Sequence, residues 1–309
     1  MTRPRTVFAG TPEFARALLN ALVDSGDTPV AVYTQPDRPA GRGKKLSASP
    51  VKEYALANSI PVMQPPRLRD AAVVAELREL QPDLMIVAAY GLLLPQSVLD
   101  VPAAGCLNVH ASLLPRWRGA APIQAAVLAG DEQTGVCLMA MEAGLDCGAL
   151  YAHAATPIGA EETAGDLHDR LAALGGDLLV RHLDDIVNGS LEATPQDEAL
   201  ATYAAKIRTA DAAVDWRKGA TELQRLVRAY NPVPGAWFML DGVRIKCWSA
   251  RVAAAVDAPP GSVVAADQDG ITVACGTDAL TLLSLQRPGK RPVTGGEFAT
   301  QFELAGRQL

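Results

Sequence analysis

Gly105-Cys106-Leu107-Asn108-Val109-His110-Ala111-Ser112-Leu113-Leu114-Pro115-Arg116-Trp117-Arg118-Gly119 begins as an alternating run and ends in a loop punctuated by Pro115 and Gly119. Successive side chains of a strand point to opposite faces, so Asn108 and His110 share one face and Leu107 and Val109 the other. Two hydrogen-bonding side chains then converge where an apolar strand ends. In an open α/β sheet that is where ligands bind. The competing reading is an edge strand with one solvated face. Ser112-Leu113-Leu114-Pro115 offers a hydroxyl, apolar surface and a fixed turn, a set that suits a flat heterocyclic ligand. Arg116 and Arg118 flank Trp117, a pairing that suits an anionic partner and is equally common on solvated loops.

Working outward, Thr6-Val7-Phe8-Ala9 reads as a first strand and Gly10-Thr11-Pro12 as its turn. Thr11 is the expected N-cap of a helix over 13–23 whose buried stripe is Phe14, Ala17, Leu18, Ala21 and Leu22. This strand–turn–helix opening is of Rossmann type but lacks the full G-x-G-x-x-G pattern, which weakens an NAD-binding oxidoreductase. A second strand is expected over 29–34. Residues 83–89 are almost wholly apolar, as in a central parallel strand covered on both faces, and 90–95 close it. A helix over 122–129, strands over 135–141 and 151–157, and one long helix or two over 163–187 complete an α/β, Rossmann-like, mostly parallel sheet. Between two of these strands, Glu142-Ala143-Gly144-Leu145-Asp146-Cys147-Gly148 sets Asp146 between glycines.

The chain has 309 residues, enough for two domains. No apolar run is long enough to span a bilayer, and the N-terminus has no cleavable signal pattern, which points to a cytoplasmic protein. Five cysteines show no metal-ligand spacing, so no metal is expected. Turn residues over 188–197 mark a linker. Beyond it the pattern changes to a helix over 220–229 and short alternating strands with a strong hairpin turn at Asp241-Gly242, which reads as a small β-barrel. The expected division is 1–189, a linker over 190–206, and 207–309. The chain is net −6, yet residues 207–309 carry 12 Lys+Arg against 10 Asp+Glu, and only local patches matter for phosphate contact. No amphipathic dimer seam is visible, so a monomer is expected.

Residues 35–46 hold Arg38, Arg42, Lys44 and Lys45 against the single acid Asp37. The prolines and glycines there argue against regular structure. Such a segment is either a solvated mobile loop or a basic finger that meets RNA phosphates. Further cations are Lys206 and Arg208 near the linker, and Arg244, Lys246, Arg287, Lys290 and Arg291 on the barrel. Cationic contacts of this kind would make RNA binding salt-dependent.

Asn108, His110, the 112–115 loop and Asp146 together resemble the signature of the enzymes that use 10-formyltetrahydrofolate to formylate an amine. The resemblance runs from Phe8-Ala9-Gly10-Thr11-Pro12-Glu13-Phe14-Ala15 to the C-terminal part, including Asn231-Pro232-Val233-Pro234-Gly235-Ala236-Trp237. It implies a catalytic sheet domain followed by an OB-like, tRNA-binding barrel. It also implies a catalytic set of Asn108, His110 and Asp146, with Ser112, Leu113, Leu114, Pro115, Tyr90 and Gly91 against the folate. Asp146 lies far along the chain from His110, so the resemblance alone places it with them. Relatives that formylate a purine-pathway amine typically lack the C-terminal domain, and those that formylate a sugar lack the basic insertion. A chain with both is similar to the members that formylate methionine on initiator methionyl-tRNA. Arg38, Arg42, Lys44, Lys45, Lys206, Arg208, Arg287 and Lys290 are then expected at tRNA phosphates. A rival from another class is a non-catalytic RNA-binding protein.

The chemistry needs no metal. An amine that attacks a formyl group passes through a tetrahedral oxyanion, which calls for a donor to that oxygen and a path for the amine's proton. Asn108 is a neutral donor, His110 can donate or accept, and a carboxylate can orient the imidazole or relay the proton.

Overall fold

A computed structural model describes residues 3–40 and 45–309. The chain divides into two compact units, one of Met1–Pro122, Gln133–Thr156 and His168–Ala204, the other of Ile123–Glu132, Pro157–Leu167 and Ala205–Leu309.

The first unit is built on a seven-stranded sheet in the order Leu150–Pro157, Gln133–Ala140, Cys106–His110, Leu84–Ala88, Thr6–Gly10, Ala31–Tyr33, Val62–Met63. The last five of these pair in parallel, whereas Gln133–Ala140 runs antiparallel to Cys106–His110. The sequence order of the strands reverses between Thr6–Gly10 and Leu84–Ala88, so the crevice that such sheets use for ligands opens at their carboxyl ends. Every residue of Thr6–Gly10, Leu84–Ala88 and Cys106–His110 is buried. The strand that carries Asn108 and His110 is therefore interior, and the edge-strand reading is wrong. Val7, Met85, Val87, Tyr90, Leu94 and Cys106 belong to one apolar cluster of this unit.

Helix Glu13–Ser25 buries Phe14, Ala15, Leu18, Leu19 and Leu22 and ends on left-handed Gly26, whose N–H meets the carbonyls of Leu22 and Val23. Its N-cap is Pro12, not Thr11. The Thr11 hydroxyl instead donates to the Tyr90 carbonyl at 3.0 Å and ties two strand ends together. The expected cap is realised at the next helix, Pro50–Ala57, where the Ser49 side chain accepts from the Lys52 N–H. Residues 164–187 form one continuous helix.

The basic segment also departs from expectation. Arg38–Ala40 pairs antiparallel with Lys45–Ser47. Pro39, opposite Leu46, is tolerated because a two-stranded ribbon leaves outward N–H positions without a ladder partner. Arg42, Lys44 and the side chain of Lys45 lie outside the described residues.

In the second unit an antiparallel sheet runs in the order Ala236–Leu240, Val243–Ala253, Ala279–Gln286, Gly270–Ala274, Val263–Asp267. Asp241 and Gly242 both have positive φ, 48° and 75°, the conformation that a two-residue hairpin needs. Helix Ala220–Ala229 buries Leu223, Leu226 and Val227 in a core shared with Phe238, Ile245, Val273 and Leu282. The sequence did not announce a short helix, Gly295–Ala299, because two glycines open it. A capping box between Thr294 and Glu297 supplies its start.

Candidate active site

Asn108 and His110 end an interior strand and are 8% and 6% exposed. Polar groups so deeply buried need partners. The Asp146 carboxylate supplies both. Its Oδ1 accepts from Asn108 Nδ2 at 3.4 Å, and its Oδ2 stands 3.6 Å from His110 Nδ1. The second distance exceeds a hydrogen bond, and contacts of this kind in catalytic sites often tighten when substrate docks. His110 Nε2 lies 3.0 Å from the Trp117 carbonyl. A carbonyl can only accept, so Nε2 carries a proton and Nδ1 is the nitrogen that faces the carboxylate. One amide N–H of Asn108 goes to Asp146, which leaves the other without a protein partner among the described residues.

Asp146 is fixed from several sides. Oδ2 accepts from the Gly119 N–H at 2.7 Å. Its backbone is left-handed, with φ 51°, a conformation that Asp tolerates better than most residues. Gln196 Nε2 donates to the Asp146 carbonyl at 2.9 Å and to the Gly148 carbonyl at 2.7 Å. A Cβ at Gly148 would meet the Ala140 carbonyl oxygen at 1.8 Å, so only glycine lets the loop lie this close to its neighbouring strand.

Sequence reasoning missed this support. Arg118, read as a residue for an anionic partner or solvent, is 1% exposed. Its guanidinium forks onto Glu198 at 2.9 and 2.7 Å and onto Gln196 Oε1 at 3.1 and 2.8 Å. The bonds to Glu198 raise the arginine pKa and hold the Glu198 carboxyl below its usual range. Arg116 lies over the Trp117 ring, 4.3 Å from its centre. Gln196, Glu198 and Thr202 come from the segment that reads as linker, and no local pattern marks them.

The 112–115 loop follows directly. Ser112 is fully buried, and its hydroxyl donates to the Arg116 carbonyl at 2.6 Å, so it shapes the loop. Leu114 is buried with Cys137 and Met139, while Leu113 and Pro115 are half-buried. At the end of the neighbouring strand Tyr90 is buried, its hydroxyl lacks a hydrogen-bond partner among the described residues, and burial pushes the phenol up to about 12. The Tyr90 carbonyl accepts from Thr11 and Gln35, and Gly91 is exposed and left-handed.

The cations are dispersed. The exposed Arg38 donates to Gln35 Oε1. Lys206 is exposed. Arg208 is 81% exposed and pairs with Asp211 at 3.1 Å. In the second unit Arg287 lies over Phe302, and Lys290 is exposed. Arg244, Lys246, Gln286 and Arg287 line a cavity of about 230 Å³.

Comparison with known proteins gives this geometry a family. The family model "Formyl transferase" matches residues 5–183, and "Formyl transferase, C-terminal domain" matches 206–303. The methionyl-tRNA formyltransferase of Pseudomonas fluorescens is 57% identical over 290 residues, 94% of this chain and 91% of that one. That of Stutzerimonas stutzeri is 54% identical over 299 residues, 96% and 95% of the two chains. Among solved structures, an N-formyltransferase from Helicobacter canadensis in complex with folinic acid and dTDP-3-aminofucose aligns with a TM-score of 0.68. It is 17% identical, with 90% of this chain and 99% of that one covered. HypX from Aquifex aeolicus in complex with tetrahydrofolic acid aligns at 0.65 and 18% identity over 98% of this chain, which spans 48% of that protein. At such identities the two structures show a shared fold. The two family models and the sequence relatives together establish that the chain belongs to the methionyl-tRNA formyltransferase family.

Proposed function

We propose that the chain transfers the formyl group of 10-formyltetrahydrofolate to the α-amine of methionine on initiator methionyl-tRNA. The observation that carries the reading is the meeting of Asn108, His110 and Asp146 at the carboxyl end of a parallel sheet, in a chain that is 54–57% identical to methionyl-tRNA formyltransferases.

Each residue takes a role from its surroundings. The amine nitrogen attacks the formyl carbon, a C–N bond forms, and the carbonyl electron pair moves to oxygen. The second N–H of Asn108 donates to that oxygen, and His110 supports the same charge. Collapse of the adduct breaks the bond to N10 of the folate. The nitrogen that attacks loses one proton and N10 gains one, so the site relays a proton without consuming it. Asp146, held beside the imidazole, orients His110 and serves that relay. The 112–115 loop, the Tyr90 main chain and Gly91 are the folate-binding surface in this reading.

We assign catalysis to residues 1–189, the connection to 190–206 and tRNA contact to 207–309 with the basic segment. Arg38, Arg42, Lys44, Lys45, Lys206, Arg208, Arg287 and Lys290 are the proposed phosphate contacts. No helix among the described residues is long and apolar enough to cross a membrane; a cytoplasmic monomer is the form proposed.

The test is a formylation assay with charged initiator tRNA and 10-formyltetrahydrofolate, beside charged elongator tRNA and a nucleotide-linked amino sugar. Formylation of the initiator substrate above both others supports the reading. Turnover of the sugar alone, or RNA binding without turnover, overturns it.

A further inference from the structure

We propose that Gln196, oriented by Arg118, is a positioning residue for Asp146, an inference that rests on the catalytic role given to Asp146 above. The argument begins with burial. An arginine 1% exposed carries a large desolvation cost unless its donors are satisfied. Here Nη1 and Nη2 fork onto Glu198, and Nε and Nη2 both reach one oxygen, Gln196 Oε1. Two donors on one amide oxygen leave no freedom in the orientation of that amide. Its nitrogen must face away from Arg118, and there Nε2 donates to the carbonyls of Asp146 and Gly148, with the Met139 sulfur a longer contact at 3.4 Å. The guanidinium therefore fixes the amide, and the amide fixes the backbone that carries the carboxylate.

The same short stretch holds the rest of the constellation. The Trp117 carbonyl receives His110 Nε2, the Arg118 side chain orients Gln196, and the Gly119 N–H meets Asp146 Oδ2 at 2.7 Å. Three consecutive residues thus grip the imidazole, the support of the carboxylate and the carboxylate itself. Their path is unusual. Trp117 has φ 63° and Gly119 φ 110°, and a Cβ at Gly119 would meet the Ala204 carbonyl oxygen at 2.7 Å. The path is locked by Thr202, whose hydroxyl accepts from the Trp117 N–H at 2.9 Å. The Thr202 carbonyl accepts from the Arg118 N–H at 2.8 Å, and its N–H donates to the Pro115 carbonyl at 3.2 Å. The segment 196–202 is in this sense a wall of the site. A carboxylate that moves by an ångström loses its register with His110 and Asn108, and misplacement on that scale costs rate out of proportion to binding.

Gln196→Glu separates positioning from stability. A carboxylate at 196 still accepts from Arg118 but cannot donate to the two loop carbonyls. The experiment compares wild type, Q196E and Q196A for formylation of charged initiator tRNA, with thermal melts and amide hydrogen exchange of the 144–149 segment. In Q196E the expected outcome is a kcat lower by about tenfold or more, with KM for tRNA and for folate each within about twofold. Faster exchange in 144–149 and a melting temperature close to that of wild type should accompany it. Q196A should show the same kcat loss together with a lower melting temperature. A Q196E kcat within about twofold of wild type overturns the proposal. So does a loss that only tracks the unfolded fraction, or one confined to KM. Wild-type protein that fails to formylate the initiator tRNA would sink the functional reading instead, and exchange in 144–149 would still report on the Gln196 contact.

Discussion

In the proposed reaction Asn108 is a buried amide that serves structure and chemistry at once. Its Nδ2 is held by Asp146 through one N–H, and in the proposed reaction the other donates to the formyl oxygen. Asn108→Ala should lower kcat by about 10²–10³-fold, the range for removal of a preorganised oxyanion donor. KM for either substrate should change little. Steady-state kinetics at saturating tRNA and folate would measure this, and a kcat within a few-fold of wild type would contradict the role. At this scale the sequence was legible where periodicity applies: residues two apart on a strand share a face, so Asn108 and His110 could be paired on sight. Asp146 could not be, since alternation says nothing across two strands and a loop. Arg118 was misread because charge in a Trp- and Gly-containing loop looks solvated. Its burial depends on Glu198 and Gln196, about eighty residues away in sequence.

Elements were legible in proportion to how local their causes are. Helices Pro122–Ala129 and Ala220–Ala229 coincide with their expected bounds, because apolar period and turn residues mark both ends. The ribbon Arg38–Ala40 with Lys45–Ser47 did not, because its cause is pairing between two short polar runs that have no apolar pattern. Arg42 stands in sequence between the ribbon's two strands, outside the described residues. Arg42→Ala should raise KM for charged tRNA about tenfold and leave KM for folate within about twofold, with a shallower dependence of binding on salt. Equal rises in both constants would point to damage of the fold. The strands also hide thiols. Burial pushes Cys106 and Cys247 up to about 12 and Cys137 and Cys275 up to about 11, and only Cys147, on the Asp146 loop, is partly exposed. A thiol reagent at about pH 8 should therefore modify one cysteine in native protein and five after denaturation. Loss of the native equivalent in Cys147→Ser would locate it, and its persistence would refute the assignment.

The whole molecule has an acidic balance, net −6, and this bears on stability. Several exposed or half-exposed carboxylates have partners that favour the ionised form. Lys52 and then Gln64 lower Asp37, the Thr163 hydroxyl and amide lower Asp166, and Arg118 lowers Glu198. The Arg208 backbone and side chain lower Asp211, and Arg217 brings Asp215 down to about 2. A carboxyl whose folded pKa is depressed binds its proton more readily in the unfolded chain. Each such group therefore adds stability that is complete above the ordinary carboxylate range and is lost as pH falls through and below it. All of them shift in the same direction, so their losses accumulate across both units. The melting temperature should be nearly flat from about pH 7 to 5 and fall steeply toward about pH 2. Because these pairs sit in contact with water, added salt should flatten the slope, and Glu198→Gln should remove one share of it. Thermal melts over that pH range, at low and high ionic strength, would measure the profile. A melting temperature unchanged at about pH 3 would mean that these contacts persist in the unfolded chain or contribute nothing in the folded one.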